Sequence, residues 1–94
     1  MNKVEIIFKE KAITRYGITL YSKEDTLDFI LKCKDYGIII LGIDAFFISD
    51  IATEPSLENS IDYSTNMSNG DIYEKALEFI SKRNEDLYFE IVCE

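Results

Sequence analysis

Apolar and polar residues alternate in two stretches near the start of the chain, as they do in β-strands. In residues 2–9, the apolar residues Val4, Ile6 and Phe8 alternate with four others, of which all but one are charged: Lys3, Glu5, Ile7 and Lys9. Residues 13–21 are rich in β-branched and aromatic side chains, and Gly17 within them is expected at a bulge or a close backbone approach. The pattern therefore predicts two N-terminal strands.

Two later segments have the spacing of amphipathic helices, and a capping sequence precedes each of them. Ser22, with Asp25 three residues on, predicts the start of a helix that runs to about Tyr36 and ends at Gly37. A similar pattern at residues 68–71 predicts a second helix, which continues to about residue 84.

Three further segments favour strands. Residues 38–48 are almost continuously apolar, which is typical of an internal strand covered on both faces. A short strand is expected near residues 60–64, between turn-forming residues. Residues 87–93 alternate cleanly and predict a closing strand.

This order of elements predicts an α+β fold in a single domain spanning residues 1–94. Two helices should pack on one face of a sheet of four or five strands, mostly antiparallel or mixed. From the second strand onward the order is βαββαβ, as in ferredoxin-like folds. Such folds host many functions, so the fold alone selects none of them.

The chain has no segment suited to a membrane. Its longest apolar run, Ile38 to Ile43, is six residues, whereas a spanning helix needs roughly 20. The first residues place Glu5 inside an apolar segment and offer no cleavage site, so a signal peptide is not expected. We therefore expect a cytoplasmic protein.

The composition argues against catalysis. The chain has no histidine, which removes the commonest general base and the commonest transition-metal ligand. Cys33 and Cys93 could in principle pair, but their spacing matches no metal or redox motif and no secretion signal indicates an oxidising compartment, so two buried thiols are expected. Gly70 stands alone near a helix start, so no phosphate-binding loop is visible. We expect no enzyme activity, no cofactor and no metal.

Charge divides the chain into two unlike parts. Residues 1–43 carry a net charge of +1 and residues 44–94 carry −9, and no basic residue lies between Lys34 and Lys75. Such a field attracts cationic partners and disfavours binding to nucleic acid. The alternative interpretation is that the charge serves solubility alone.

Asp44 and Tyr63 are the most informative single residues. Asp44 interrupts the apolar strand, where an unpaired buried charge costs several kcal/mol. It must therefore find hydrogen-bond donors such as loop amides, face the sheet edge, or be exposed for use. Tyr63 places an interface-type aromatic in the acidic segment. The candidate residues for binding a partner are Asp44, Asp50, Glu54, Glu58, Asp62 and Tyr63.

The helix and strand from Thr26 to Asp44, which end in Leu41-Gly42-Ile43-Asp44, carry a family resemblance. Together with the acidic middle, the helix around residues 73–80 and the terminal segment 88–92, they resemble the immunity protein 40 family over about residues 22–92. Those proteins accompany bacterial polymorphic and contact-dependent inhibition toxins. The resemblance implies a cytoplasmic protein that binds a cognate toxin domain, often a nuclease with a basic cleft, and masks its active site or another essential surface.

Two other functions are compatible with the residues. One is an acidic inhibitor or nucleic-acid mimic of another origin, such as a phage-encoded protein. The other is a small regulatory domain that senses a ligand, which would require a pocket lined by converging polar groups.

Overall fold

The computed structural model describes residues 2–49, 52–62 and 72–94. Within these ranges the chain forms an α+β fold in which the helices lie against a five-stranded sheet. The helices are α1 (Lys3–Ile7), α2 (Lys23–Tyr36) and α3 (Ile72–Ser81), and the strands are β1 (Ile13–Arg15), β2 (Ile18–Ser22), β3 (Ile40–Ile48), β4 (Thr53–Asp62) and β5 (Leu87–Cys93). None of these helices has the length and apolar character needed to cross a membrane.

The first segment is a helix, so the prediction of a strand in residues 2–9 is wrong. The Asn2 side chain accepts a hydrogen bond from the Glu5 amide, and the Glu5 carboxylate accepts one from the Asn2 amide. This capping box satisfies two amides that a short helix would otherwise leave unpaired. Val4 and Phe8 are buried four residues apart, whereas Ile6 is 60% exposed, so the buried spacing is helical.

The second stretch is a hairpin of two strands. β1 and β2 pair antiparallel, and Arg15 stands opposite Ile18. Tyr16 and Gly17, the two residues between them, both have positive φ, at 51° and 79°. This is typical of a tight type I′ hairpin turn. Gly17 therefore lies in the turn, and the expected bulge is absent at that position.

Helix α2 agrees with its prediction at both ends. The Ser22 hydroxyl accepts a hydrogen bond from the Asp25 amide at 3.2 Å, and Gly37 ends the helix with a left-handed φ of 66°. Inside the helix, the side chains at helical spacing that face the sheet are buried: Thr26, Phe29, Ile30 and Cys33. Cys33 is a buried free thiol as expected, while Cys93 is only partly buried.

The strands are ordered β1-β2-β5-β3-β4, and every neighbouring pair is antiparallel. In a ferredoxin-like sheet, the third strand of the βαββαβ unit lies between the first and the second. Here the fourth strand of that unit, β5, lies between β2 and β3. The arrangement therefore shares the order of elements with ferredoxin-like folds but not the order of strands.

Strand β3 is internal as predicted, because it pairs with β5 on one side and β4 on the other. Its second face is covered only in part, however, because Phe46 is buried but Asp44, on the same face, is exposed. Ile43 and Ala45 are buried, while Asp44 between them is exposed. Buried and exposed side chains thus alternate at residues 43–45, although the sequence around them is almost continuously apolar.

Strand β4 is an edge strand, and it is longer than the predicted strand at residues 60–64. Its edge position tolerates Pro55, which has no amide to donate to a further strand. Residues 63 and 64 lie outside the described residues.

Helix α3 completes the core. Ile72, Ala76 and Ile80 face inward and join the same core cluster as Phe89 and Ile91 of β5. The helix occupies Ile72–Ser81, inside the predicted range, and the predicted capping residues 68–71 lie outside the described residues.

Candidate functional site

Alternation along β3 and β5 gives the sheet two unlike faces. Ile43, Ala45, Phe89 and Ile91 belong to the core cluster beneath the helices. The intervening side chains point to the opposite side, which we call the outer face. In register, it brings Asp44 opposite Glu90, and Gly42 opposite Val92.

The centre of the outer face is a pair of carboxylates. Asp44 and Glu90 are direct cross-strand partners, and like charges in such positions repel each other. Burial raises the pKa of Glu90, and the negative charge of Asp44 raises it further. Within the described ranges, neither carboxylate forms an ion pair. The fold thus places two acids together without a neutralising cation from those ranges.

Asp62 extends this acidic surface across to β4. It stands opposite Gly42 at the end of β4. A Cβ atom at Gly42 would lie 3.1 Å from the carbonyl oxygen of Ile61, so glycine permits the close approach of the two strands here. A surface cleft of about 320 Å³ opens at this point and is lined by Leu41, Gly42, Asp44, Ile61, Asp62 and Val92.

A long bulge interrupts β4 beside Asp44. Ser56 pairs with Ala45 and Ile61 pairs with Ile43, so the four residues 57–60 lie opposite the single residue Asp44. The Ser60 hydroxyl accepts a hydrogen bond from the Ala45 amide at 2.8 Å and donates one to the Ser56 carbonyl at 2.7 Å. A side chain therefore supplies the bond that the ladder lacks at the bulge.

The bulge also has a contact with the region that follows α3. The Asn59 side chain donates to the Ser56 hydroxyl at 2.9 Å and accepts from the Arg83 guanidinium at 3.3 Å. At its tip, Leu57 is 86% exposed and Glu58 is exposed beside it. The bulge thus exposes an apolar side chain and an acidic one next to each other, and the hydrogen bonds of Ser56, Asn59 and Ser60 hold the residues on either side.

The structure brings together only part of the predicted set. Asp44 and Asp62 share the cleft on the outer face, and Glu58 lies on the adjacent bulge. Glu54 is exposed opposite Phe47, whose position in β3 has the same direction as Ala45, so it points to the helix side of the sheet. Asp50 and Tyr63 lie outside the described residues.

Glu90 was missing from the predicted set. Alternation in residues 87–93 already indicated that it points away from the core. Its position opposite Asp44 depends on the pairing of β5 with β3, strands separated by some forty residues of sequence, and no local pattern reveals that pairing. In the described parts of the chain, no three acids or cysteines group closely enough to hold a metal ion.

Comparison with protein-family models, with curated proteins and with solved structures gives no match to this chain.

Proposed function

We propose that this chain is a cytoplasmic immunity protein, which binds a cognate bacterial toxin domain and masks its active site or another essential surface. The chain acts by binding, without catalysis or a cofactor. The outer face, with the adjoining bulge of β4, is the binding surface. Its partner presents lysine or arginine side chains, as the substrate cleft of a nuclease does.

The observation that carries the proposal is the adjacent, uncompensated pair formed by Asp44 and Glu90. Two neighbouring carboxylates that lack a cation within the described chain gain favourable interactions when a partner supplies one. An arginine is especially suited to this role, because its guanidinium can bond two carboxylate oxygens at once.

Apolar side chains around these acids provide the second element of an interface. Leu57 is 86% exposed on the bulge and Val92 is 41% exposed beside Gly42. Protein interfaces combine apolar contacts that exclude water with charges that orient the partner. Val92 lines the same cleft as Asp44 and Asp62, and Leu57 lies on the adjoining bulge of β4.

The proposal predicts a toxin gene beside the gene of this chain, and it can be tested in cells that produce that toxin. Co-expression of the chain should restore growth, and the purified chain should bind the toxin domain. Asp44→Lys combined with Glu90→Lys should weaken binding at least about 100-fold, which is the scale of hot-spot changes at interfaces.

The matched control reverses two exposed acids on α2, Glu24→Lys and Asp28→Lys, and changes the net charge by the same amount. Circular dichroism should show that both double variants are folded. Absence of protection by the unaltered chain would refute the immunity function. Equal binding by the two double variants would show that the outer face is not the binding surface. The immunity function would then have to use another surface.

A further inference from the structure

The two cysteines of the chain are neighbours in space. Cys33 lies near the end of α2 and is fully buried, and Cys93 is the last residue of β5 and is partly accessible. Both are free thiols, and they belong to the same packed region: Cys33 is part of the buried core cluster, and Cys93 packs against that cluster, where the two side chains interact. Helix α2 and strand β5 therefore meet at a pair of sulfur atoms, 60 residues apart in the sequence.

Asn2 adds a polar contact to this pair. Its side-chain amide donates a hydrogen bond to the Cys93 sulfur at 3.0 Å. The same side chain accepts from the Glu5 amide through its oxygen, so the capping box of α1 fixes its orientation. A donor held in this way stabilises negative charge on the sulfur that it faces.

Their surroundings make the Cys93 thiol more acidic than the Cys33 thiol. The hydrogen bond from Cys33 is the main cause that lowers the pKa of Cys93 to about 7, and the bond from Asn2 contributes, against the opposing effects of burial and Glu5. The bond to Cys93, together with burial, raises the pKa of Cys33. The charge of Glu5 raises the pKa of both thiols. Tyr21 also interacts with both sulfurs, and Tyr73 with Cys33, and burial is the main cause that raises the pKa of each tyrosine.

We propose that Cys33 and Cys93 form a reversible intramolecular disulfide when the chain meets a hydroperoxide. The accessible Cys93 thiolate attacks the peroxide, the O–O bond breaks, and Cys93 becomes a sulfenic acid while the peroxide leaves as an alcohol or water. The Cys33 sulfur then attacks the Cys93 sulfur and loses its proton, and the hydroxyl leaves as water. The sum is two thiols and one peroxide converted to one disulfide, one alcohol or water, and one further water.

This bond would join the end of α2 to the end of β5. It closes a loop of about 60 residues, and a crosslink over so long a loop restricts the unfolded chain strongly. The oxidised protein should therefore melt at a temperature higher by about 10 °C. A dithiol reductant returns the chain to its original state.

The test uses the folded, reduced chain with hydrogen peroxide at about pH 7.5. We expect a monomer lighter by about 2 Da, the mass of two hydrogens. A tryptic digest without reductant should contain one linked pair of peptides, because cleavage after Lys32, Lys34 and Arg83 places each cysteine in a separate peptide. Dithiothreitol should restore the original mass and melting temperature.

Variants separate the two steps. Cys33→Ala removes the resolving thiol, so the Cys93 sulfenic acid should accumulate and react with dimedone. Asn2→Asp keeps the capping oxygen but replaces the donor by a carboxylate, so oxidation should slow by about tenfold. Three results with the unaltered chain would each overturn the proposal: no oxidation of the folded protein, oxygen addition at Cys93 without linkage, or linkage between two chains.

Discussion

At the scale of single residues, Asp44 is the position where the structure decides most directly among the explanations that the sequence allows. A charge inside an apolar run had three possible explanations: bonding to donors such as loop amides, a position at the sheet edge, or exposure. In the structure Asp44 is exposed, and its side chain accepts no hydrogen bond from the described residues. Its neighbour across the strands is Glu90, another acid. The Asp44 side chain therefore contributes no hydrogen bond or ion pair to the described part of the fold.

Removal of this repulsion should stabilise the protein near neutral pH. In Asp44→Asn the pKa of Glu90 should fall, although burial, its main cause, keeps it above the ordinary value. The free energy of unfolding at about pH 7 should rise by roughly 0.2–1 kcal/mol, the range for cross-strand pairs. Urea unfolding and an NMR titration of the Glu90 carboxyl measure the two effects.

The raised pKa of Glu90 decides whether the free energy of unfolding rises or falls with pH. The folded state keeps this proton to a higher pH than the unfolded state, so the stability contributed by Glu90 is present below the unfolded pKa and is lost as pH rises through the folded pKa. The gain in the free energy of unfolding from Asp44→Asn should therefore be smaller at about pH 4 than at about pH 7. Asp28→Asn, on the exposed side of α2, is the control and should change little. An equal gain at both pH values would contradict this account of Glu90.

At the scale of elements, β4 and α1 depart most from their predictions. The sequence of residues 2–9 alternates like a strand, but the capping box of Asn2 and Glu5 and the burial of Val4 and Phe8 make it a helix. Phe8 packs against Tyr21 and Phe29, at ring-centre distances of 6.3 and 5.3 Å. Residues four positions apart, such as Val4 and Phe8, lie on the same face of a strand and also on the same face of a helix. The pattern of apolar residues therefore fits both structures, and tertiary packing decides which one forms.

The bulge of β4 depends on Ser60. Ser60→Ala would leave the Ala45 amide without its acceptor in a fully buried position, at a cost of about 1–3 kcal/mol. Urea unfolding should record this loss, and hydrogen exchange should show faster exchange of the Ala45 amide. Ser60→Thr keeps the hydroxyl and should retain most of the stability. Unchanged protection of that amide in Ser60→Ala would exclude Ser60 as its partner.

At the scale of the whole molecule, charge is distributed unevenly. The net charge of −9 after Ile43 was visible in the sequence, and β3, β4 and β5 place Asp44, Asp62 and Glu90 on one face. A concentrated field of this kind speeds association with a partner of opposite charge.

Association with the proposed basic toxin domain should therefore depend strongly on salt. The on-rate should fall by about tenfold or more from about 0.01 M to 1 M ionic strength, because the Debye length shortens from about 30 Å to 3 Å. Stopped-flow fluorescence measures this rate. The double variant of Asp44→Lys and Glu90→Lys should show a flatter dependence than Glu24→Lys with Asp28→Lys. A salt-independent rate for the unaltered chain would contradict electrostatic steering by this face.

The amino-acid sequence by itself determined the features that depend on a few consecutive residues. These include the start of α2 at Ser22 and its end at Gly37, the alternation of β5, and the concentration of acids after Ile43. Each follows from local hydrogen bonds, backbone conformation or composition. They were sufficient to predict an α+β fold, with two helices on one face of a sheet that was expected to be mostly antiparallel or mixed.

Only the tertiary structure decided which distant residues meet. The insertion of β5 between β2 and β3 places Glu90 beside Asp44 and brings Cys93 to Cys33. The bulge of β4 separates Glu54 from the outer face to which Asp62 belongs. The physical reason is that strand pairing and register depend on packing of the complete core, in which residues far apart in sequence compete for the same neighbours.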